Sequence, residues 1–205
     1  PARSVDQGMD YVVSLVEVNL ASRLADGTVR AYQQALTLHM MPINLIGVAI
    51  SNAAFPQLTE HLGEGRNDLF QKDLRSLLRI IFWMALPVSV VIFFTRGYVV
   101  HFIRNGGNQL IAGILGCLVV AILFRTIYHM AARAFYARQD TKTPLYISIF
   151  SITLNIILAI VLSMVLKMGA YGLAWAQSTV AVLEVVVLLA VMNRQMPKLF
   201  DMTFV

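Results

Sequence analysis

Charge is what this sequence has least of: Asp, Glu, Lys and Arg together make up 13% of its 205 residues, where soluble domains carry about 25%. A water-facing surface cannot be built from so few. Its single cysteine, Cys117, sits inside an apolar run, which excludes both a disulfide framework within the chain and a metal site made of cysteines. A Gly-rich phosphate loop, an HExxH pair and a Ser or Cys nucleophile motif are also missing, so an enzyme reading has little to stand on. The N-terminal residues contain no short apolar region followed by a small-residue cleavage site, and no signal peptide is read there. The opening Pro1-Ala2-Arg3-Ser4, without an initiator methionine, is what a fragment or a processed chain would show.

What is abundant is hydrophobic surface, at 58% of residues. The formal charge of +5 could suit a nucleic acid, but the Lys and Arg residues cluster between long apolar segments instead of lining one face. That arrangement suits a membrane surface. A helix crosses the roughly 30 Å hydrocarbon core in about 20 residues, and six segments of that kind are present. They run from about Gln7 to Leu24, Val29 to Leu58, Leu74 to Phe94, Leu110 to Tyr136, Pro144 to Leu166 and Ala170 to Met192. The polar joints are Ala25 to Thr28, His61 to Asp73, Arg104 to Asn108, Ala137 to Thr143 and Lys167 to Gly169. Joints so short make successive helices antiparallel. The expected fold is all-α, a polytopic bundle of about six transmembrane helices forming a single domain over residues 1–205.

Orientation follows from the cations. With Arg3 inside, the inside set adds Arg66, Lys72, Arg75 and Arg79, then Arg125, Arg133, Arg138 and Lys142, then Arg194 and Lys198, eleven in all. Five fall outside: Arg23, Arg30, Arg96, Arg104 and Lys167. The excess predicts both ends in the cytoplasm.

Polar residues within spans are expensive in hydrocarbon and are expected to face the bundle interior or a wet cavity. At about 100° per residue, Asp6, Asp10, Ser14 and Glu17 share one face of the first helix, with Arg3. In the second helix Gln33, Gln34, Thr37, Asn44, Ser51 and Asn52 fall within an arc of about 100°. So continuous a stripe reads as a cavity lining, the alternative being interhelical hydrogen bonding by small polar groups. His39 falls nearly opposite and is expected to pack against a neighbour. The fifth helix puts Ser148, Ser151 and Asn155 on one face, and the sixth puts Gln177 and Glu184 together. Glu184 either reaches the interface or faces the cavity as a proton or cation site. Glu17, sharing its face with Asp10, is the better candidate for coupling, because a carboxylate in a partly dry cavity can switch charge.

Pro42 and Pro87 fall inside spans, where a missing N–H and a ring clash bend helices. Thr143 is expected to cap the fifth helix, with Pro144 in its first turn. From His61 to Arg79 the spacing of Leu69, Phe70, Leu74, Leu77 and Leu78 fits an amphipathic helix in the interface or a solvated connector running into the third span.

Particular segments resemble a known family. Leu20-Ala21-Ser22-Arg23-Leu24, Pro42-Ile43-Asn44-Leu45-Ile46-Gly47-Val48-Ala49-Ile50 and Phe55-Pro56-Gln57-Leu58 resemble the seventh and eighth helices of the MurJ/MviN lipid II flippases. The run from Arg133 through Ala134-Phe135-Tyr136-Ala137-Arg138-Gln139-Asp140-Thr141-Lys142-Thr143 to Pro144 is similar to that family's joint between its tenth and eleventh helices. Gly172-Leu173-Ala174 resembles the start of the twelfth. Order, spacing and helix count agree over nearly the whole chain.

The resemblance implies the multidrug/oligosaccharidyl-lipid/polysaccharide exporter fold of fourteen helices, with this chain supplying about the seventh to the twelfth. It implies translocation of undecaprenyl-pyrophosphate-linked peptidoglycan precursor across the bacterial cytoplasmic membrane by alternating access. Its partners would be the lipid-linked glycan, membrane lipids and the remaining helices of the full-length transporter, with no nucleic acid. No cofactor is implied beyond a coupling cation, Na⁺ or H⁺. By the same resemblance Glu17 and Asn155 align with residues associated with ion coupling, and Glu184 joins them as a candidate on its burial cost alone. Asp10, Ser14, Gln34, Thr37, Asn44 and Ser51 would line the cavity, while the fifth and sixth helices would form a groove for the lipid tail. Where family members carry a cavity arginine in the eighth helix, this chain has Thr37, with Gln33, Gln34 and His39 around it. The pyrophosphate would then be held by arginines of the missing N-terminal lobe, or the cargo would be another lipid-linked glycan. Export of drugs within the same superfamily and a non-transporting membrane scaffold are the other readings the sequence leaves open.

Overall fold

A computed structural model of the chain describes residues 15–23, 27–104 and 108–196. Residues 15–22 form helix α1, the described part of the first expected span. Helix α2 (Thr28–Pro42) runs through a π-helical turn (Ile43–Val48) into α3 (Ala49–Gly63). Then follow α4 (Asn67–Arg104), α5 (Gln109–Ala137), α6 (Lys142–Ile160), a second π-turn (Val161–Val165) and α7 (Ala170–Gln195). Five rods are long and apolar enough to cross a membrane: 28–63, 67–102, 109–137, 142–165 and 170–195. These are the second to sixth expected spans.

The joints have local causes. Gly27 and Gly65 adopt left-handed φ of 82° and 73°, which glycine takes without the steric cost of a Cβ. Asn108 caps α5, its side chain accepting from the Leu110 N–H at 2.9 Å. The cap of α6 is not Thr143 as expected. The Asp140 carboxylate fills that role, accepting from the Thr143 N–H at 3.1 Å and its hydroxyl at 2.6 Å. Thr143 stands inside the helix because α6 already begins at Lys142, after the chain turns at Gln139 with φ 61°. An acidic side chain suits exposed N–H groups better than a hydroxyl does.

The polar joint expected from His61 to Asp73 shrinks to residues 64–66, since α4 begins at Asn67. Leu69 is exposed, but Phe70, Leu74 and Leu78 are buried against Leu58, Met130, Ala134 and Leu188. The spacing was that of a helix, yet its apolar side meets protein instead of an interface. At 38 residues, α4 is about 57 Å long, far more than the hydrocarbon requires. Its later turns expose Trp83, Phe94, Tyr98 and Phe102, as a lipid-facing helix does.

Helix α5 is the centre of the bundle and touches α2, α3, α4, α6, α7 and the first π-turn. More than half of its apolar window is buried, 56% against 22% for α4. One core gathers the ends of α3, α5 and α7 with the start of α4. A second gathers α1, α2 and the starts of α5 and α7, and a small third joins Ile43 of the π-turn to Val119 and Ile122 of α5. Small residues allow this closeness, as they do where helices associate without a hydrophobic drive. A Cβ on Gly172 would lie 2.6 Å from the Leu162 carbonyl carbon, and one on Gly47 would lie 3.0 Å from the Thr126 backbone. After Pro42, where a bend was expected, the helix passes into the π-turn, whereas α4 continues as α-helix through Pro87.

Candidate functional site

Four helices meet at one buried carboxylate. Glu17 lies on the inner face of α1 beside Leu20 and Ala21 and leaves 2% of its surface exposed. A carboxylate so placed is tolerated only when its lone pairs are satisfied. Tyr32 of α2, fully buried, donates its hydroxyl to Glu17 Oε2 at 2.9 Å. Gln177 of α7 donates from Nε2 to both carboxylate oxygens, at 2.9 and 3.0 Å. On its other side the same amide accepts from Arg125 Nη2 of α5 at 3.1 Å. A carboxylate offers only acceptors and a guanidinium only donors, so these neighbours fix the direction of the Gln177 amide. The Arg125 charge also acts on Tyr32, on His39 of α2 and on His129, one turn further along α5. Buried donors and acceptors outside hydrogen bonds with described residues include Arg125 Nε and His39 Nε2.

Of the residues expected to act, Asp10 and Ser14 lie outside the described residues. The stripe of the second helix divides at the π-turn. Gln33 and Thr37 before it and Asn44 within it are exposed, and the Thr37 hydroxyl is tied back to the Gln33 carbonyl at 2.9 Å. Gln34 is half-buried, with its Oε1 unpartnered among described residues. Beyond the turn Ser51 is buried and donates to the Val48 carbonyl at 3.1 Å, while Asn52 is exposed and accepts from Arg133. A fixed step of about 100° per residue cannot hold across a turn that inserts a residue, so Ser51 leaves the open face.

On α6, Ser148, Ser151 and Asn155 are all buried, with Ser148 paired to the Tyr128 hydroxyl at 3.1 Å. Asn155 Oδ1 has no hydrogen bond among the described residues, and the hydrogen bonds to Glu17 come from α2 and α7 instead. Glu184 is buried within the lobe, on neither the open face nor an exposed interface, and it has a polar or electrostatic partner there. No group of three or more His, Cys, Asp and Glu side chains is gathered among the described residues.

Two participants in the network were not expected. Arg125, assigned above to a cytoplasmic joint, stands midway along α5, with Phe124 before it and Thr126 after it. The rule that singled out Glu17, a charge inside an apolar run, applies equally to Arg125. Tyr32 carries no signal in the sequence, because a tyrosine in a span is as often lipid-facing as interior. At the far end of α5, Arg133 donates to Asn52 of α3 and lies over the Phe55 ring, 5.6 Å from its centre, and Arg138 donates to Gln195 at 2.8 Å. These contacts tie α5 to α3 and α7.

Residues 5–204 match the family model described as Lipid II flippase MurJ. Among curated relatives, a probable lipid II flippase MurJ of Borreliella burgdorferi is 26% identical over 176 residues, covering 83% of this chain and 34% of its own length. One from Haemophilus influenzae is 30% identical over 174 residues, covering 71% of this chain and 32% of its own. The chain thus spans about a third of the length of the curated relatives it matches. Among solved structures it resembles a lipid II flippase MurJ in an inward closed conformation, with a TM-score of 0.82 and 24% identity over 92% of this chain and 41% of that one. An outward-facing multidrug resistance MATE family transporter of the MOP superfamily superposes with a TM-score of 0.87 at 12% identity, over 97% of this chain and 44% of that one. Those likenesses show the fold.

Proposed function

Because the chain belongs to the lipid II flippase MurJ family, we propose that it supplies one lobe, about the seventh to twelfth helices, of a transporter that moves lipid-linked peptidoglycan precursor across the bacterial cytoplasmic membrane. The observation that carries this reading is the open polar face of α2 and the π-turn after it, where Gln33, Thr37 and Asn44 are exposed within a membrane-spanning rod. In hydrocarbon that face needs water or a second lobe against it. A wet cleft between two lobes meets the requirement, and alternating access opens such a cleft to each side in turn. Glu17, set behind this face at the meeting of α1, α2, α5 and α7, is placed to couple a cation to that movement. Asn155 and Glu184 are candidates for the same role on α6 and α7.

The orientation we propose puts both ends of the chain in the cytoplasm. Moving Arg125 out of the inside set leaves ten Lys and Arg inside against five outside, so the bias persists. The test is rescue of a flippase-depleted cell by the full-length protein, together with translocation of labelled lipid II. The proposal expects rescue by the wild type and its loss on Glu17→Ala; failure of the wild type to rescue or translocate overturns it.

One observation favours a second reading. Thr37 stands where the family resemblance implies a cavity arginine, and its hydroxyl is already bound to Gln33. A lobe without that cation suits a less strongly anionic cargo, such as another lipid-linked polysaccharide or a drug. Transport of such a cargo, with lipid II left in place, would establish this alternative.

A further inference from the structure

We infer that Arg125 is a built-in competitor of the coupling cation, and that the Gln177 amide switches Glu17 between the two. The inference rests on the ion-coupled reading above. The set of buried Glu17, Tyr32 and Gln177 with half-buried Arg125 carries one carboxylate and one guanidinium, and a cation is therefore already present in the protein. It acts through an intermediary: Arg125 binds the oxygen of Gln177 at 3.1 Å, and the nitrogen of Gln177 binds Glu17 at 2.9 and 3.0 Å. The side-chain amide thus lies between the charges with its dipole aligned to both.

A small monovalent cation arriving at Glu17 needs lone pairs. It meets N–H and O–H donors from Gln177 and Tyr32, and hydrogen atoms pointed at a cation repel it. Rotation of the Tyr32 hydroxyl and a half-turn of the Gln177 amide turn both oxygens towards the cation. The half-turn also sets Nε2 against the guanidinium, donor against donor, so Arg125 loses its acceptor. Cation occupancy and anchoring of Arg125 exclude each other, and each weakens the other by the same factor. Arg125 is able to leave: it is half-buried, its Nε has no hydrogen bond among the described residues, and its link to Gln177 is a single one. A cation at Glu17 therefore breaks the polar link from Arg125 of α5 to Gln177 and leaves the apolar packing of α5 in place, while the rotated amide keeps α7 tied to α1.

The measurement is Na⁺ binding to the full-length protein in detergent, by calorimetric titration with choline chloride holding ionic strength constant. Removing the internal cation with Arg125→Gln should tighten Na⁺ binding about tenfold or more, since a neighbouring unit charge in a partly dry site is worth at least that. Arg125→Met provides the same loss of charge with no amide of its own, should the first variant fail to fold. Arg125→Lys keeps the charge and should stay near the wild-type affinity, and Glu17→Gln should abolish binding in every background. The inference is overturned if both neutral variants bind Na⁺ no more tightly than the wild type, if binding survives Glu17→Gln, or if none of the proteins binds Na⁺. Lipid translocation is scored separately. Tighter Na⁺ binding without translocation sinks the transport reading alone, and translocation with unchanged Na⁺ affinity sinks this inference alone.

Discussion

Replacing Gln177 with leucine removes the bridge while keeping the volume, and its cost discriminates between a working polar network and incidental hydrogen bonding. The wild-type amide donates twice to a carboxylate that is 2% exposed and accepts once from Arg125. Leucine leaves Glu17 with Tyr32 as its donor and Arg125 Nη2 without an acceptor. Hydrogen bonds to charged groups contribute about 1.5–3 kcal/mol each, and stranding one member of a buried charged pair costs about 3–5 kcal/mol. Against this, hydrogen bonds between membrane helices average only about 0.6 kcal/mol, because the unfolded state in the membrane also finds partners. Water reaching the half-buried Arg125 lowers its share of the loss. We therefore expect Gln177→Leu to destabilise by about 2–3 kcal/mol in reversible denaturation from mixed micelles. Glu17→Gln removes the negative charge that the bridge serves, so Gln177→Leu made in that background should cost at least about 1 kcal/mol less than in the wild type, a coupling that a double-mutant cycle reads directly. A loss below about 0.6 kcal/mol, or additive effects of the two substitutions, would refute the network as a cooperative unit.

Three further outcomes follow from the packing and the joints. Gly172→Ala places a methyl 2.6 Å from the Leu162 carbonyl carbon; backbone cannot yield as a side-chain tip does, and a loss of about 1–3 kcal/mol is expected in the same denaturation assay. At the α5–α6 joint, burial opposes ionisation of Asp140, but hydrogen bonds from Thr143, Gln195 and Lys142 outweigh it and hold the carboxyl below its usual range. The stabilisation is thus complete above the unfolded value of about 4 and is lost as pH falls through the lower folded one; a melting temperature that declines over that window in the wild type should be flatter in Asp140→Ala. With Cys117 replaced by alanine, a cysteine at Thr37 on the open face of α2 should react with a membrane-impermeant maleimide, and one at Val91 on the exposed side of α4 should not. Equal labelling at the two positions would remove the case for a wet cleft.

The sequence was most legible where one physical rule acts alone. Apolar run length sets membrane spans regardless of partners, so four of the five rods appear within a few residues of their expected bounds, α4 being the exception. That helix overran its expected start by seven residues, from Leu74 to Asn67, because polarity marks where hydrocarbon ends and says nothing of where helix ends. Angular reasoning survived only as far as the helix stayed regular: Gln33 and Thr37 share the open face with Asn44, but the π-turn after Pro42 carried Ser51 inward. The candidate site was read at its anion and missed at its cation for a related reason. Glu17 stands out inside the first apolar run, whereas Arg125 falls in with the other basic residues as long as every cation is taken to lie at a surface. A count of positive charge gives orientation only after each arginine has been placed by depth, and depth depends on a partner. Arg125 is found deep in α5 because Gln177, fifty-two residues later, presents it with an acceptor, and no local pattern around either residue contains that fact. Pairing of this kind is what makes a costly buried charge tolerable, and so the residues hardest to read from sequence are those on which the proposed switch at Glu17 depends.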